Sequence, residues 1–342
     1  MSEAATDVQA PPEPQKPQRR RKSWFNLSEG GGVPMLVAPT LILLAIVIGY
    51  PVVRAVIMSF QKDPGLDKAT GLFVAGGPAG FSNYTHWLLA QCVAAGGGTT
   101  TCPAGNLGSQ FWTAMFNTVF FTVVEVAIEI VLGLWFAMIM HRKFHGRGLL
   151  RAAVLIPWAI PTAVTAKLWY FIFAYDGIAN HILHTHILWT AGAWSSRFAI
   201  IFADVWKTTP FMALLILAGL QIIPDDVYEA AKVDGASAWQ RFVQITLPLV
   251  RPALMVAVLF RVLDVLRIYD LPAILTNGGG GSGDATTTLS ILVIDQIRQG
   301  FNSAAALSTI TFVFIFLVAF VFVKFLGANV IETQEAERKG AN

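Results

Sequence analysis

The residues of this 342-residue chain whose types and spacing invite chemistry are charges standing inside apolar blocks. Arg261, Asp264, Arg267 and Asp270 recur every three residues with alternating sign, and on a helix that spacing puts neighbours within reach on one face. Such a row reads either as a self-neutralising ladder against a neighbouring helix or as a polar wall that donates to and accepts from hydroxyl groups. Glu125 and Glu129, four apart, repel if both are ionised; Lys167 and the pair Asp204–Lys207 are the compensation the sequence offers. A charge at mid-bilayer costs at least about 2.5 kcal/mol, so each needs a partner or a polar cavity, and for the glutamates structural pairing is favoured. Trp158, Trp206 and Tyr269 suit stacking on sugar rings, with interfacial anchoring as the plainer alternative. Covalent chemistry finds no footing. The run from Asn277 to Asp284 has glycines but no lysine for a phosphate-binding loop, and the six histidines form no H-E-x-x-H pattern. No catalytic residue, metal site or cofactor is therefore expected in this chain.

The elements that must hold those charges follow from composition. Hydrophobic residues make up 55% of the chain and charged residues 13%, against about 25% charged in a soluble domain, and the mean hydropathy is +0.59. The apolar residues gather into blocks long enough to cross a hydrocarbon layer of about 30 Å, which excludes a water-soluble enzyme. The alternating ten-residue pattern of a β-barrel is missing. The expected fold is an all-α polytopic membrane protein with six spans, near 33–60, 111–140, 152–175 (holding Pro157 and Pro161), 198–220, 252–271 and 303–323. Lys and Arg number fifteen on one side of these spans and four on the other, so both termini are expected in the cytoplasm. Residues 1–22 read as a disordered tail ending in a basic run, Arg19 to Lys22, followed by an interfacial elbow at Ser23 to Leu27. No apolar leader precedes them, so no cleavable signal peptide is expected. Residues 331–342 read as a second, C-terminal tail. Cys92 and Cys102 fall in one outward loop, where a disulfide is chemically allowed and two free thiols are the alternative.

Between the fourth and fifth spans lies a polar segment, 222–250. Pro224, Asp225 and Asp226 open a helix, Glu229, Ala230 and Ala231 extend it, and Gly235 is placed to end it in a left-handed conformation. Ser237 with Gln240 fits a capping box that starts a second helix carrying Trp239 and Phe242. The result is a rigid knob on the inner face. A structured loop of this length tends to be functional.

Those residues carry a resemblance. Glu229-Ala230-Ala231, Asp234-Gly235-Ala236, Phe242, Ile245, Leu247-Pro248 and Pro252 resemble the EAA motif of permease subunits of bacterial binding-protein-dependent ABC importers. Phe81 to Tyr84, Asn117-Thr118, Gly146 to Arg151, Pro157-Trp158, Phe260-Arg261 and Asp270-Leu271-Pro272 to Gly278-Gly279-Gly280 resemble the sugar-importing branch, which includes the maltose and glycerol-phosphate permeases. The likeness covers residues from about 30 to 330, within a transmembrane permease domain placed at 23–330, and within the branch the chain resembles the mycobacterial-type trehalose importer. The resemblance implies a type I importer permease fold forming half of a heterodimeric pore. It also implies a second permease, two ATPase subunits that bind ATP and Mg, and an extracytoplasmic sugar-binding protein. Glu229, Ala230, Ala231, Asp234, Gly235 and Ala236 would form the coupling helix that docks on an ATPase. Arg261, Asp264, Arg267, Tyr269, Asp270, Trp158 and Trp206 are the candidate substrate path. An ion-coupled carrier using the membrane carboxylates is the alternative function.

Overall fold

Apolar blocks in lipid become helices because a helix satisfies every backbone N–H and C=O within itself. The computed structural model describes residues 33–66, 73–94, 98–276 and 284–340; the basic N-terminal run, the Ser23–Leu27 elbow and the glycine-rich run from Asn277 to Gly283 lie outside them. The chain forms two units, Met1–Arg54 and Ala55–Asn342. In the first, α1 (Val33–Leu44) passes through a π turn (Ala45–Gly49) into α2 (Tyr50–Ser59), whose last residues belong to the second unit.

In the second unit a two-stranded pair, β1 (Gly65–Leu66) and β2 (Phe73–Val74), precedes α3 (Ser82–Leu88) and a hairpin, β3 (Gln91–Val93) and β4 (Thr99–Thr101). Cys92 and Cys102 are joined by a disulfide across that hairpin, with their Cα atoms 4.9 Å apart. The long helix α4 (Phe111–His141) follows, then α5 (Arg147–Ala159), α6 (Thr162–Ile172), α7 (Ile178–Leu183) and α8 (Ala193–Leu220). The polar segment after α8 holds α9 (Asp225–Val233) and α10 (Ala238–Arg241), and a π turn (Phe242–Thr246) feeds α11 (Leu247–Val265). The chain closes with α12 (Asp270–Leu275), α13 (Leu289–Ile297) and α14 (Phe301–Gly340).

Five of these helical stretches are long and apolar enough to cross a membrane, and a sixth is counted if α5 and α6 form one broken span. The third expected span is thus not a straight helix. It bends by 92° between α5 and α6, because Pro161 pushes Ile160 out of the helical region to φ −75°, ψ 130° and offers no N–H to carry the ladder on. The fifth span also ends earlier than its hydropathy suggests, at Val265. The last helix runs on to Gly340, through residues read from sequence as a tail. The short elements α3, α7 and α13 and the hairpins escaped the hydropathy pattern, being too brief to impose a period.

The core sits where α4, α8 and α11 meet, with Met212, Ile216, Val250 and Ala257 fully buried. Small residues let these backbones approach, as membrane helices favour. A Cβ at Gly133 would come within 2.6 Å of the Met212 side chain, and one at Gly219 would collide with Ala253. At the far end, Trp87, Phe111, Leu289, Leu292 and Leu307 make a second cluster. There Asp63 caps α14 from a distant loop, accepting the N–H groups of Asn302 at 2.6 Å and Ser303 at 3.0 Å.

Candidate functional site

The knob between α8 and α11 is built by local rules. Asp225 and Asp226 occupy the first turn of α9, where the helix dipole favours negative charge. At the other end the N–H of Ala236 reaches the carbonyl of Ala231 at 2.9 Å and that of Gly235 reaches Lys232 at 3.1 Å. This pair of bonds closes a Schellman turn, which needs a left-handed residue at Gly235, and its φ is +77°. A capping box then opens α10: Ser237 N–H donates to Gln240 Oε1 at 2.7 Å, and Gln240 N–H donates to Ser237 Oγ at 3.3 Å.

Glu229, Ala230, Asp234 and Gly235 are exposed, and Ala231 and Ala236 are half-buried. Val233 and Trp239 stand 88% and 72% exposed beside them, an unpartnered apolar surface of the kind that marks an interaction site. Two contacts anchor the knob to the rest of the chain. Lys143, in the turn before α5, donates to Asp225 at 2.7 Å and holds that carboxyl below the usual carboxylate range. Tyr228 on α9 bonds to the Thr246 hydroxyl at 3.1 Å, at the last residue of the π turn that runs into α11.

The charges inside the spans sort differently from the sequence expectation. Arg261 is 1% exposed, and its guanidinium is spent on carboxylates of three helices. Nε and Nη2 grip Glu129 of α4 at 2.5 and 2.8 Å, Nη2 also bonds Asp204 of α8 at 2.7 Å, and Nη1 bonds Asp264 of α11 at 2.6 Å. The Thr208 hydroxyl lies against both Glu129 and the Asp204 carbonyl. Arg261 therefore leaves the candidate substrate path, because carboxylates from two neighbouring helices outcompete an open surface for a buried guanidinium. Nor do Lys167 and Lys207 compensate the glutamates. Lys167 is exposed and sits over the Tyr170 ring, and the compensating cation is Arg261.

The three-residue ladder holds for its first step only. Asp264 pairs with Arg261 while its side chain stays 64% exposed, whereas α11 stops at Val265 and Arg267 turns its Nε to the Leu263 carbonyl at 3.0 Å. Arg267 and Asp270 are exposed and Tyr269 is half-buried at the break between α11 and α12. The two tryptophans have apolar surroundings. Trp158 stacks on Phe211; Trp206 lies edge-on to Trp169 and lines an apolar cavity of about 410 Å³ with Ile128, Phe136 and Phe202.

One functional link went unread in the sequence. Asn117 donates to the carbonyls of Asp284 and Thr287, at 2.8 and 3.0 Å, and accepts from Arg197, which also bonds the Ala285 carbonyl at 3.0 Å. Thr118 accepts the N–H of Leu289 at 3.0 Å. The Asn117-Thr118 pair at the start of the second span thus fixes the chain just beyond the glycine-rich run. Its partners lie 80 to 171 residues away, so no local spacing announces them.

Known proteins match this architecture. The family model described as "Binding-protein-dependent transport system inner membrane component" matches residues 129–332. The chain is 40% identical over 297 residues to the trehalose/maltose transport system permease protein MalF of Thermococcus litoralis, covering 85% of this chain and 92% of that one. It is 38% identical to the trehalose transport system permease protein SugA of Mycobacterium tuberculosis, with 86% and 88% covered. To the sulfoquinovosyl glycerol permease SmoG of Agrobacterium fabrum it is 35% identical, with 83% and 87% covered. Among solved structures, a bacterial ABC transporter importing the polysaccharide alginate superposes with a TM-score of 0.65 at 20% identity, covering 86% of this chain and 93% of that one, a likeness of fold.

Proposed function

The chain belongs to the family of binding-protein-dependent transport system inner membrane components, and on that premise we propose that it is the membrane-spanning permease of an ATP-driven sugar importer whose substrate is a disaccharide, trehalose first. Relatives named for trehalose share 38–40% identity over most of its length, which supports that choice of sugar. In this reading the chain supplies half of a translocation pore beside a second permease. It hydrolyses nothing itself; two cytoplasmic ATPase subunits bind ATP and Mg, and an extracytoplasmic binding protein delivers the sugar. Both termini lie in the cytoplasm, which puts the disulfide-bearing hairpin outside.

One observation carries the coupling role. The knob at 225–241 is stiffened at every joint by its own caps, yet leaves Val233 and Trp239 open to solvent. A loop that ordered has something to dock against, and the glutamate–glycine pattern of Glu229 to Ala236 is the coupling helix seated on an ATPase. Exposed charge at membrane depth cannot face lipid, so Asp264, Arg267 and Asp270, with Tyr269, line the sugar path. Their mixed donors and acceptors suit a neutral polyol. The carrier alternative is not favoured, since Glu129 and Asp204 are engaged by Arg261.

The test uses the whole transporter in proteoliposomes with its binding protein. Adding trehalose is expected to raise ATP hydrolysis severalfold, while lactose, another disaccharide, leaves it at the basal rate. Equal stimulation by lactose would remove the trehalose assignment, and no stimulation by any disaccharide would remove the disaccharide class.

A further inference from the structure

Glu125 stands out among the buried groups. It is fully buried on α4, and neither carboxylate oxygen has a hydrogen-bond partner among the described residues. Unpartnered buried carboxylates are expensive, so such a group calls for an explanation. Its nearest cation is Arg261, whose Nη2 lies 4.0 Å from Glu125 Oε2. Both N–H groups of that nitrogen are already committed, one to Glu129 and one to Asp204. Arg261 therefore cannot bind Glu125 while it holds the partners it has now. Glu125 is an alternative to them.

The geometry points to a two-seat switch between α4 and α11, with Glu129 the seat Arg261 occupies here and Glu125 the seat it occupies in the other state of the transport cycle. The two glutamates are four residues apart on one face of α4, and Nη2 already lies 4.0 Å from Glu125, so a displacement well short of a helical turn passes Arg261 from one seat to the other. Helix shifts of about 1–2 Å are an established form of two-state change. The forked guanidinium sets the two positions, because α4 offers it two carboxylates, Glu129 and Glu125.

The switch rests on the coupling role proposed for the knob. From the knob the chain runs through the π turn directly into α11, and Tyr228 ties α9 to Thr246 at the end of that turn. Motion of the knob thus acts on the helix that carries Arg261. Arg261, Glu125 and Glu129 are positioning residues, since none of them faces the sugar.

The test is Glu125→Gln in the complete transporter, which keeps the shape and weakens only the empty seat. We expect this variant to purify with its ATPase subunits, to melt no lower than the wild type, and to lose maximal uptake by about tenfold with an unchanged KM for sugar. Wild-type uptake would overturn the switch. So would a clear drop in melting temperature, because that would mean Glu125 already bonds in this state. A Glu129→Gln variant, weakening the occupied seat, is expected to shift accessibility of engineered cysteines toward the opposite side of the membrane; the same bias as Glu125→Gln would also overturn it. Failure of the coupling role reads out separately, as a wild-type chain that carries no ATPase subunit.

Discussion

Gly235→Val is expected to abolish sugar uptake, to about a hundredth of the wild-type rate or less, while the chain still folds and inserts. Two physical facts make the effect selective. Gly235 holds φ at +77°, and forcing an L residue with a branched side chain into that conformation costs about 1–2 kcal/mol. The Schellman turn that joins α9 to α10 then opens, and Asp234 and Ala236 leave their places. Yet a Cβ at this position would meet nothing within 4 Å, so the added carbon itself collides with no neighbour in this chain. What it disturbs is whatever sits on the knob. Uptake assayed with ATP-loaded proteoliposomes, beside a melting curve in detergent, separates the two effects. A variant that imports normally would show that the knob docks on nothing.

Arg261→Met is expected to destroy the fold rather than the coupling. Removing the guanidinium leaves Glu129 and Asp204 facing each other in the helix core, Glu129 fully shielded and Asp204 6% exposed. Breaking a buried ion pair from one side costs about 3–5 kcal/mol, a large part of the 5–15 kcal/mol typical of a folded protein. The variant should fail to accumulate in the membrane, and any recovered protein should melt far below the wild type. Arg261→Lys should fall between, because an ammonium carries the charge without the fork that grips Glu129 through two nitrogens. Replacing the set together, with Glu129→Met and Asp204→Asn added to Arg261→Met, should restore much of the lost melting temperature, since well-packed apolar groups often substitute for a buried network without loss. Accumulation is read by fluorescence-detected size exclusion of a tagged chain. If Arg261→Met alone accumulates and melts like the wild type, the three helices are held by packing and the hub is dispensable.

How much of this could be read from the chain depends on the range of the interaction. The knob was legible almost residue by residue, because caps, dipole complement and a left-handed glycine are settled within a few positions of sequence; only Pro224 sits one place earlier than a first-turn residue. The long spans were legible for the same reason, as uninterrupted apolar runs. The break at Ile160 was not read, although Pro161 announced it, because hydropathy runs smoothly across the proline while the backbone does not. The partner of Glu129 was missed because it lies 132 residues away on another helix, and three-residue spacing pointed Arg261 at Asp264 and Arg267 instead. The signal was present in a weaker form: two glutamates in one span demand a cation, and Arg261 is the arginine placed deep in another span. The ladder beyond Asp264 failed with the end of α11, since periodicity carries no meaning past the last helical turn.

The central claim is that this chain is the membrane part of a binding-protein-dependent importer, driven from its inner face. The most direct measurement is gentle extraction from the native membrane by a tag on this chain, followed by mass spectrometry of everything in the particle. The account predicts two copies of an ATPase subunit and one second six-span permease, with the sugar-binding protein joining when trehalose and a trapped nucleotide are supplied. A chain recovered alone, or only with copies of itself, and importing sugar in that form, would contradict it.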